Sequence, residues 1–327
     1  MRNQKKRAGA WLRQALSVAV SVALLAYVLA QADFAKLLET LRAVKARELV
    51  LASALLVLAD LFMAAKCWVL RPDMPVLGTL MSYFKLRFFA LLPGGNVTGE
   101  AARLMALREM TDGYVATSIM IVDKQTQMIP QQALSLIGLA LATVPIHGIF
   151  FFLSCFTLAW ALLVPGTLLL SPVRRLALRL AAWVRGIRFR FGRVVAEEIE
   201  SLCRACGELA QRPATVALHL LLGLGSDLWT LGAQMLIARA LGFSIAPVDW
   251  LWLNGIVSIA MCLPFSVGGI GLREGAMTSL LGLFGVDPSV GMLLPLTVSS
   301  LTLFKGIAEG VIQMAAARLG GKNVTNS

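Results

Sequence analysis

The sequence has 327 residues, of which 58% are hydrophobic and only 15% are charged, and its mean hydropathy is +0.77. These values exclude an ordinary soluble domain, and apolar stretches long enough to cross a bilayer recur along the chain, so the sequence predicts an all-α polytopic membrane protein. The net charge of +12 comes from basic residues in flanks and loops, which favours anionic phospholipid at the cytoplasmic face over nucleic acid as their partner. The five cysteines have no framework spacing and predict no disulfide scaffold.

The first half, residues 1–170, begins with a strongly basic flank, which predicts a cytoplasmic N-terminus. A signal peptide with an A-x-A site at 30–32 is the alternative for this start. The first half is expected to contain four spans, at 14–31, 48–70, 112–145 and 149–170. A short interfacial helix is expected at 33–47.

A broken apolar segment occupies residues 76–108. Its two limbs flank Pro93-Gly94-Gly95, and each limb is too short to cross a membrane. Basic residues stand in both limbs, at Lys85, Arg87, Arg103 and Arg108. Both limbs can therefore begin and end on the cytoplasmic side, as in a re-entrant hairpin.

Residues 171–212 form an arginine-rich polar segment, which predicts a cytoplasmic loop. The second half, 213–327, is expected to contain a span at 213–242, a second broken segment at 248–286 and a last helix at 290–318. With about six full spans, the chain is predicted to be one integral membrane domain over 1–327. The second broken segment should enter from the opposite face to the first.

The two broken segments share a motif of two glycines followed, five residues after the second, by a glutamate. It occurs as Gly94-Gly95 with Glu100, and as Gly268-Gly269 with Glu274. Paired Gly/Pro-interrupted segments in corresponding parts of two halves are typical of transporters built from inverted repeats.

Such a break starts a new half-helix, whose free amide groups attract an anion such as a phosphate. Arg103 and Arg273 follow the two breaks and are expected to add charged contacts. Glu100 and Glu274 have three open roles, which are capping these amides, binding a cationic head-group or carrying a proton. The alternative for the whole motif is close helix packing with structural ion pairs.

Other polar residues inside apolar segments have both functional and structural interpretations. Asp227 is a functional candidate, and Lys305 and Glu309 lie four apart on one helix face, as a structural or a gating pair. Asp123-Lys124 is either a pore-facing pair or the start of a kink, and snorkelling to the membrane surface explains Lys66. The pattern Cys203-x-x-Cys206 lacks a second ligand pair, and no metal or other cofactor is predicted.

The stretch LPFSVGGIGLREGAMTSLLGLFGV, residues 263–286, resembles the family named for the transmembrane region of lysylphosphatidylglycerol synthases, and LLPGGNVTGEAARL resembles its earlier block. The resemblance implies inverted repeats with re-entrant helices, and members that move aminoacylated phosphatidylglycerol between leaflets. The chain is expected not to be an enzyme, because no aminoacyl-transferase domain follows. Val97-Thr98 departs from the usual first block, which leaves the role of that half open.

The sequence therefore predicts a bacterial inner-membrane protein that translocates a lipid with an anionic head-group, either a phospholipid or a polyprenyl-phosphate-linked lipid. The alternatives are a membrane-embedded transferase for a lipid-linked sugar and a non-transporting subunit of an envelope assembly; association into a homo-oligomer is left open. The residues expected to bind the lipid come from both halves, and they are Gly94, Gly95, Glu100, Arg103, Asp227, Gly268, Gly269, Gly271, Arg273 and Glu274, with Lys305 and Glu309 as the gating pair.

Overall fold

The computed structural model describes residues 42, 44–89, 96–186, 211–261 and 271–324, together with isolated positions between 192 and 207. These residues form helices and connecting turns, with no strand among them, which confirms the predicted all-α membrane fold. The predicted span 14–31, most of the predicted helix 33–47 and both glycine pairs lie outside the described residues.

The described residues of the first part of the chain form five helices, which are α1 (Ala46–Leu70), α2 (Val76–Phe89), α3 (Asn96–Arg108), α4 (Gly113–Ala140) and α5 (Gly148–Leu169). A sixth helix, α6 (Ser171–Gly186), follows after a single residue. The later part contains α7 (Pro213–Ala240), α8 (Pro247–Met261), α9 (Leu272–Gly282) and α10 (Pro288–Val324). Within the described residues, α1, α7 and the Pro288–Val311 part of α10 are long and apolar enough to cross a membrane.

Helices α1 and α7 pack against each other in an antiparallel arrangement. The Ser226 hydroxyl donates to the carbonyl of Ala59 at 3.0 Å, and seven residues earlier a ring nitrogen of His219 lies 2.9 Å from the carbonyl of Lys66. Gly225 brings α7 close to the ring of Phe62. We call the end at which α1 finishes and α7 starts end A, and the opposite end, at which α7 finishes, end B.

Helices α2 and α3 form a hairpin whose outer ends both lie at end A. A Cβ atom on Gly78, near the start of α2, would collide with Met110, just after the end of α3. Further along α2, the Lys85 ammonium lies 3.6 Å from the Glu109 carboxylate, and Arg103 lies over the ring of Tyr83 at 5.8 Å. The limbs contain 14 and 13 residues and span about 20 Å each, because a helix rises about 1.5 Å per residue.

Helices α8 and α9 form a second hairpin, whose outer ends lie at end B. Trp252 lies near the start of α8. Its ring centroid is 6.0 Å from that of Phe284, just after α9, and 6.2 Å from that of Phe150, near the start of α5. Asp249 accepts a hydrogen bond from the backbone amide of Thr143 in the turn between α4 and α5. The two hairpins thus open towards opposite ends of the helix bundle.

The prediction of a loop over 171–212 is wrong for its first sixteen residues, which form α6. Its arginines are separated by leucine, valine and alanine, and this spacing places apolar residues on one face of a helix. The arginine content alone had suggested a loop.

Gly138 allows α4 to contact the backbone of α8. A Cβ atom there would lie 2.7 Å from the amide nitrogen of Trp252 and 2.9 Å from the carbonyl oxygen of Val248. We expect Gly138→Ala to separate the helices at a cost of about 1–3 kcal/mol and to lower the Tm of the detergent-solubilised protein.

Gly282→Ala is the matched control, because a Cβ atom at Gly282 meets nothing within 4 Å. Alanine favours a helix over glycine, so this variant is expected to keep or slightly raise the Tm. An equal Tm for the two variants would contradict the proposed close approach of α4 and α8.

Candidate functional site

A buried carboxylate, Asp123 in α4, is shared by two cations from other helices. Lys66 Nζ of α1 lies 3.2 Å from Asp123 Oδ1, and Arg103 Nη2 of α3 donates to Asp123 Oδ2 at 2.9 Å. The exposed fraction of the side chain is 0% for Lys66, 4% for Arg103 and 3% for Asp123. We call these three residues the ionic cluster.

Polar contacts from α7 and α4 fix the orientation of the ionic cluster. Besides its ion pair with the Asp123 side chain, Lys66 Nζ donates a hydrogen bond to the backbone carbonyl of Asp123 at 3.1 Å. The His219 ring spans the interface, with Nδ1 2.9 Å from the Lys66 carbonyl and Nε2 2.6 Å from Thr126 Oγ1. Gly223, one turn after His219, faces the lysine stem, since a Cβ atom there would lie 3.5 Å from Lys66 Cε, an ordinary van der Waals distance.

Glu100 and Lys124 connect the ionic cluster to the surface. Lys124 Nζ donates to Glu100 Oε1 at 3.3 Å, and the other Glu100 oxygen lies 3.9 Å from Arg103 Nη1. The Lys124 side chain is 66% exposed, that of Glu100 27% and that of Arg103 4%. Charged groups therefore lead from the surface into the helix bundle.

The ionic cluster contains two cations for one fully buried carboxylate. Burying charges among membrane helices is costly unless they are paired, and intramembrane ionisable residues commonly mark ion or substrate sites. Because Arg103 presents a planar fork of donors, it suits a second planar or tetrahedral oxyanion such as a phosphate. The donors of Lys66 and Arg103 are thus chemically suited to binding an anion.

A second ion pair, away from the ionic cluster, joins Asp60 of α1 to Lys305 of α10. Lys305 Nζ also donates to the carbonyl of Leu56 at 3.3 Å. The sequence suggested Glu309 as the partner of Lys305, because the two lie one turn apart. The structure places the lysine against α1, with Glu309 buried on the same helix.

Glu274 caps the start of α9. One of its carboxylate oxygens accepts the amide hydrogen of Gly271 at 2.7 Å, and the other accepts the hydroxyl of Ser299 at 3.1 Å. Gly271 has a φ of +83°, a backbone conformation that favours glycine. Among the roles that the sequence left open for Glu274, its described contacts are those of a cap.

Asp227 and Arg273 are two further predicted charged residues that the structure describes. Arg273 is half-buried at the start of α9, and Asp227 lies one turn beyond Gly223 on α7. The Oδ2 atom of Asp227 is buried and has no hydrogen-bond partner among the described residues. Of the predicted residues, Arg103 belongs to the ionic cluster and Glu100 contacts it. Gly94, Gly95, Gly268 and Gly269 lie outside the described part of the chain.

Sequence reasoning missed Lys66 and His219 as site residues and left Asp123 undecided. The snorkelling explanation for Lys66 is wrong, because its side chain is completely buried and points to Asp123. The available signal was the presence of opposite charges in two apolar segments, at Lys66 and Asp123, 57 residues apart.

A bundle of apolar helices that encloses an ionic cluster and is bordered by two short hairpins defines the class, which is a polytopic α-helical membrane protein with an intramembrane polar site. The chain belongs to the family described as lysylphosphatidylglycerol synthase TM region, whose model matches residues 14–309. This membership confirms the expected family and supports a lipid-related role in the membrane. Comparisons with curated proteins and with solved structures found no match.

Replacing the shared carboxylate is expected to be the most damaging change in the ionic cluster. Asp123→Asn removes the carboxylate that pairs with both Lys66 and Arg103, and leaves Arg103 with its 3.9 Å contact to Glu100. Removing one partner of a buried pair costs about 3–5 kcal/mol. Lys66→Met leaves the Arg103–Asp123 pair balanced and should lower the Tm of the solubilised protein much less.

Asp73→Asn is the control, since the Asp73 side chain is 63% exposed and pairs with Arg71 at the surface. Exposed pairs contribute at most about 1 kcal/mol, so its Tm should stay near that of the wild type. If Asp123→Asn and Asp73→Asn have the same Tm, the ionic cluster is not a buried charge network.

Proposed function

We propose that the protein moves a lipid with an anionic head-group across the bacterial inner membrane, and that the ionic cluster binds this head-group. The observation that carries the proposal is the buried excess of cations, in which Lys66 and Arg103 share Asp123. The apolar tail of the lipid would remain in the bilayer while the head-group enters the helix bundle.

The mechanism is an exchange of anions. As a phosphate approaches Arg103, it replaces the carboxylate of Asp123, which stays paired with Lys66. Every charge then keeps a partner at each stage, which avoids the penalty of an isolated buried ion. Release reverses the exchange, and Asp123 returns to Arg103.

Lys124 and Glu100 form the entrance in this proposal. The exposed ammonium of Lys124 attracts the anionic head-group. Until the head-group arrives, the carboxylate of Glu100 reduces the electrostatic repulsion between Lys124 and Arg103. The contacts of 3.3 and 3.9 Å place the Glu100 carboxylate between the two cations.

The order of helices supports two inverted repeats with re-entrant hairpins. The first four helices, α1–α4, run long, short, short and long, and α7–α10 repeat this order. Glu100 and Glu274 lie 174 residues apart, and the same offset brings α3 and α4 onto α9 and α10. Because the hairpins open at opposite ends, alternating exposure of the site to the two leaflets is the natural mode of transport.

In this proposal end A lies in the cytoplasm, which the arginines of α6 favour by the positive-inside rule, and the N-terminus lies on the same side. We assign the Asp60–Lys305 pair to the gate between the halves, because it joins α1 of the first half to α10 of the second. Asp227 would adjust the charge along the path. The protein performs transport and no covalent chemistry in this proposal.

Fluorescent lipid movement in proteoliposomes tests the function. Phosphatidylglycerol carrying an NBD label should become accessible to external dithionite faster with the protein than in empty vesicles, and labelled polyprenyl phosphate tests the other lipid class. Arg103→Gln is expected to reduce the protein-dependent rate at least about tenfold, which corresponds to about 1.4 kcal/mol of lost stabilisation.

Arg108→Gln removes the same charge from the exposed end of the same helix and should retain the wild-type rate. Size-exclusion chromatography before reconstitution verifies that both variants are folded. Two outcomes would reject the proposed head-group site. In one, the wild-type protein moves both labelled lipids no faster than empty vesicles do; in the other, the two variants move lipid at equal rates.

A further inference from the structure

Helix α6 presents different surfaces around its circumference. At 100° per residue, Ala177 and Ala181 fall on one stripe, and Leu176, Leu180 and Trp183 fall on the adjoining stripe. Ala181 is completely buried, and Ala177 packs on the apolar cluster that contains Leu107. This first stripe attaches α6 to the rest of the protein.

The second stripe is apolar and exposed. The exposed fractions are 56% for Leu176, 51% for Leu180 and 68% for Trp183. Because α6 begins one residue after the apolar helix α5 ends, it lies where the chain leaves the membrane. Exposed leucine and tryptophan at this level are typical of a helix lying in the membrane interface.

Four arginines of α6 divide between its two flanks. Arg174 and Arg185 lie on the flank next to the buried alanines, where Arg185 pairs with Glu200 at 2.6 Å and Arg174 packs beside Gly207. Arg175 and Arg179 lie on the other flank, beside the exposed apolar stripe, and both are exposed. They are four residues apart and therefore neighbours on one face.

We propose that Arg175, Arg179 and the stripe of Leu176, Leu180 and Trp183 form a docking surface for the anionic phospholipids of the cytoplasmic leaflet. The apolar side chains enter the acyl region, and the two guanidinium groups bind the phosphate groups of the same leaflet, as long basic side chains do at this depth. The charge of the surface is complementary to an anionic leaflet. This surface is separate from the ionic cluster and does not depend on the proposed transport.

Amide hydrogen exchange of the full chain in nanodiscs tests the surface. Exchange within 171–186 should be slower in phosphatidylcholine containing phosphatidylglycerol than in phosphatidylcholine alone. Two arginines at about 1 kcal/mol each correspond to about thirtyfold slower exchange. Arg175→Gln/Arg179→Gln should abolish this lipid dependence, and Arg175→Lys/Arg179→Lys should retain most of it.

The matched control is Arg174→Gln/Arg185→Gln, which removes the same charge from the other flank of the helix. It should keep the dependence on phosphatidylglycerol. The proposal is overturned if wild-type exchange is equal in the two lipid mixtures, or if both glutamine variants lose the dependence equally. Equal protection by inorganic phosphate added to phosphatidylcholine discs would also overturn it, since a free anion would then suffice.

Discussion

The structure depends on one shared carboxylate. Asp123 joins α1 through Lys66 and α3 through Arg103, while His219 of α7 lies 4.0 Å from the same carboxylate. Helix α4 is too polar to rank with the spans identified by length and apolarity. It occupies the interior because its polar groups find partners there, and those partners in turn determine which helices surround it.

The two halves share an order of helices but differ in charge. Glu100 and Glu274 occupy matching places, near the starts of α3 and α9, and each reaches the long helix that follows. Glu100 meets the cation of Lys124, whereas Glu274 meets the hydroxyl of Ser299 and caps its own helix. The same position thus contributes to a charged site in one half and to a neutral, structural contact in the other. Under the proposed function, anion exchange belongs to the first half.

Most of the fold could be predicted from the sequence, and most of the ionic cluster could not. Hydropathy and glycine breaks locate α1, α4 and α7 to within a few residues, because span length follows from membrane thickness. The partner of Lys66, in contrast, depends on how α1 packs against α4, which local sequence does not specify. Lys305 illustrates the same limit. Helical spacing suggested Glu309 as its partner, and the tertiary packing of α10 against α1 brings Lys305 to Asp60.

The apolar residues between the ionic cluster and end A explain how such a cluster is stable. Leu107 lies one turn beyond Arg103, and Val122 precedes Asp123, and both belong to a buried apolar cluster with Leu70. This cluster keeps water from the ions, which strengthens their attraction. It also separates the ionic cluster from end A. Under the proposed function, a head-group therefore reaches Arg103 from the side of the bundle, past the exposed Lys124, while its tail remains in lipid.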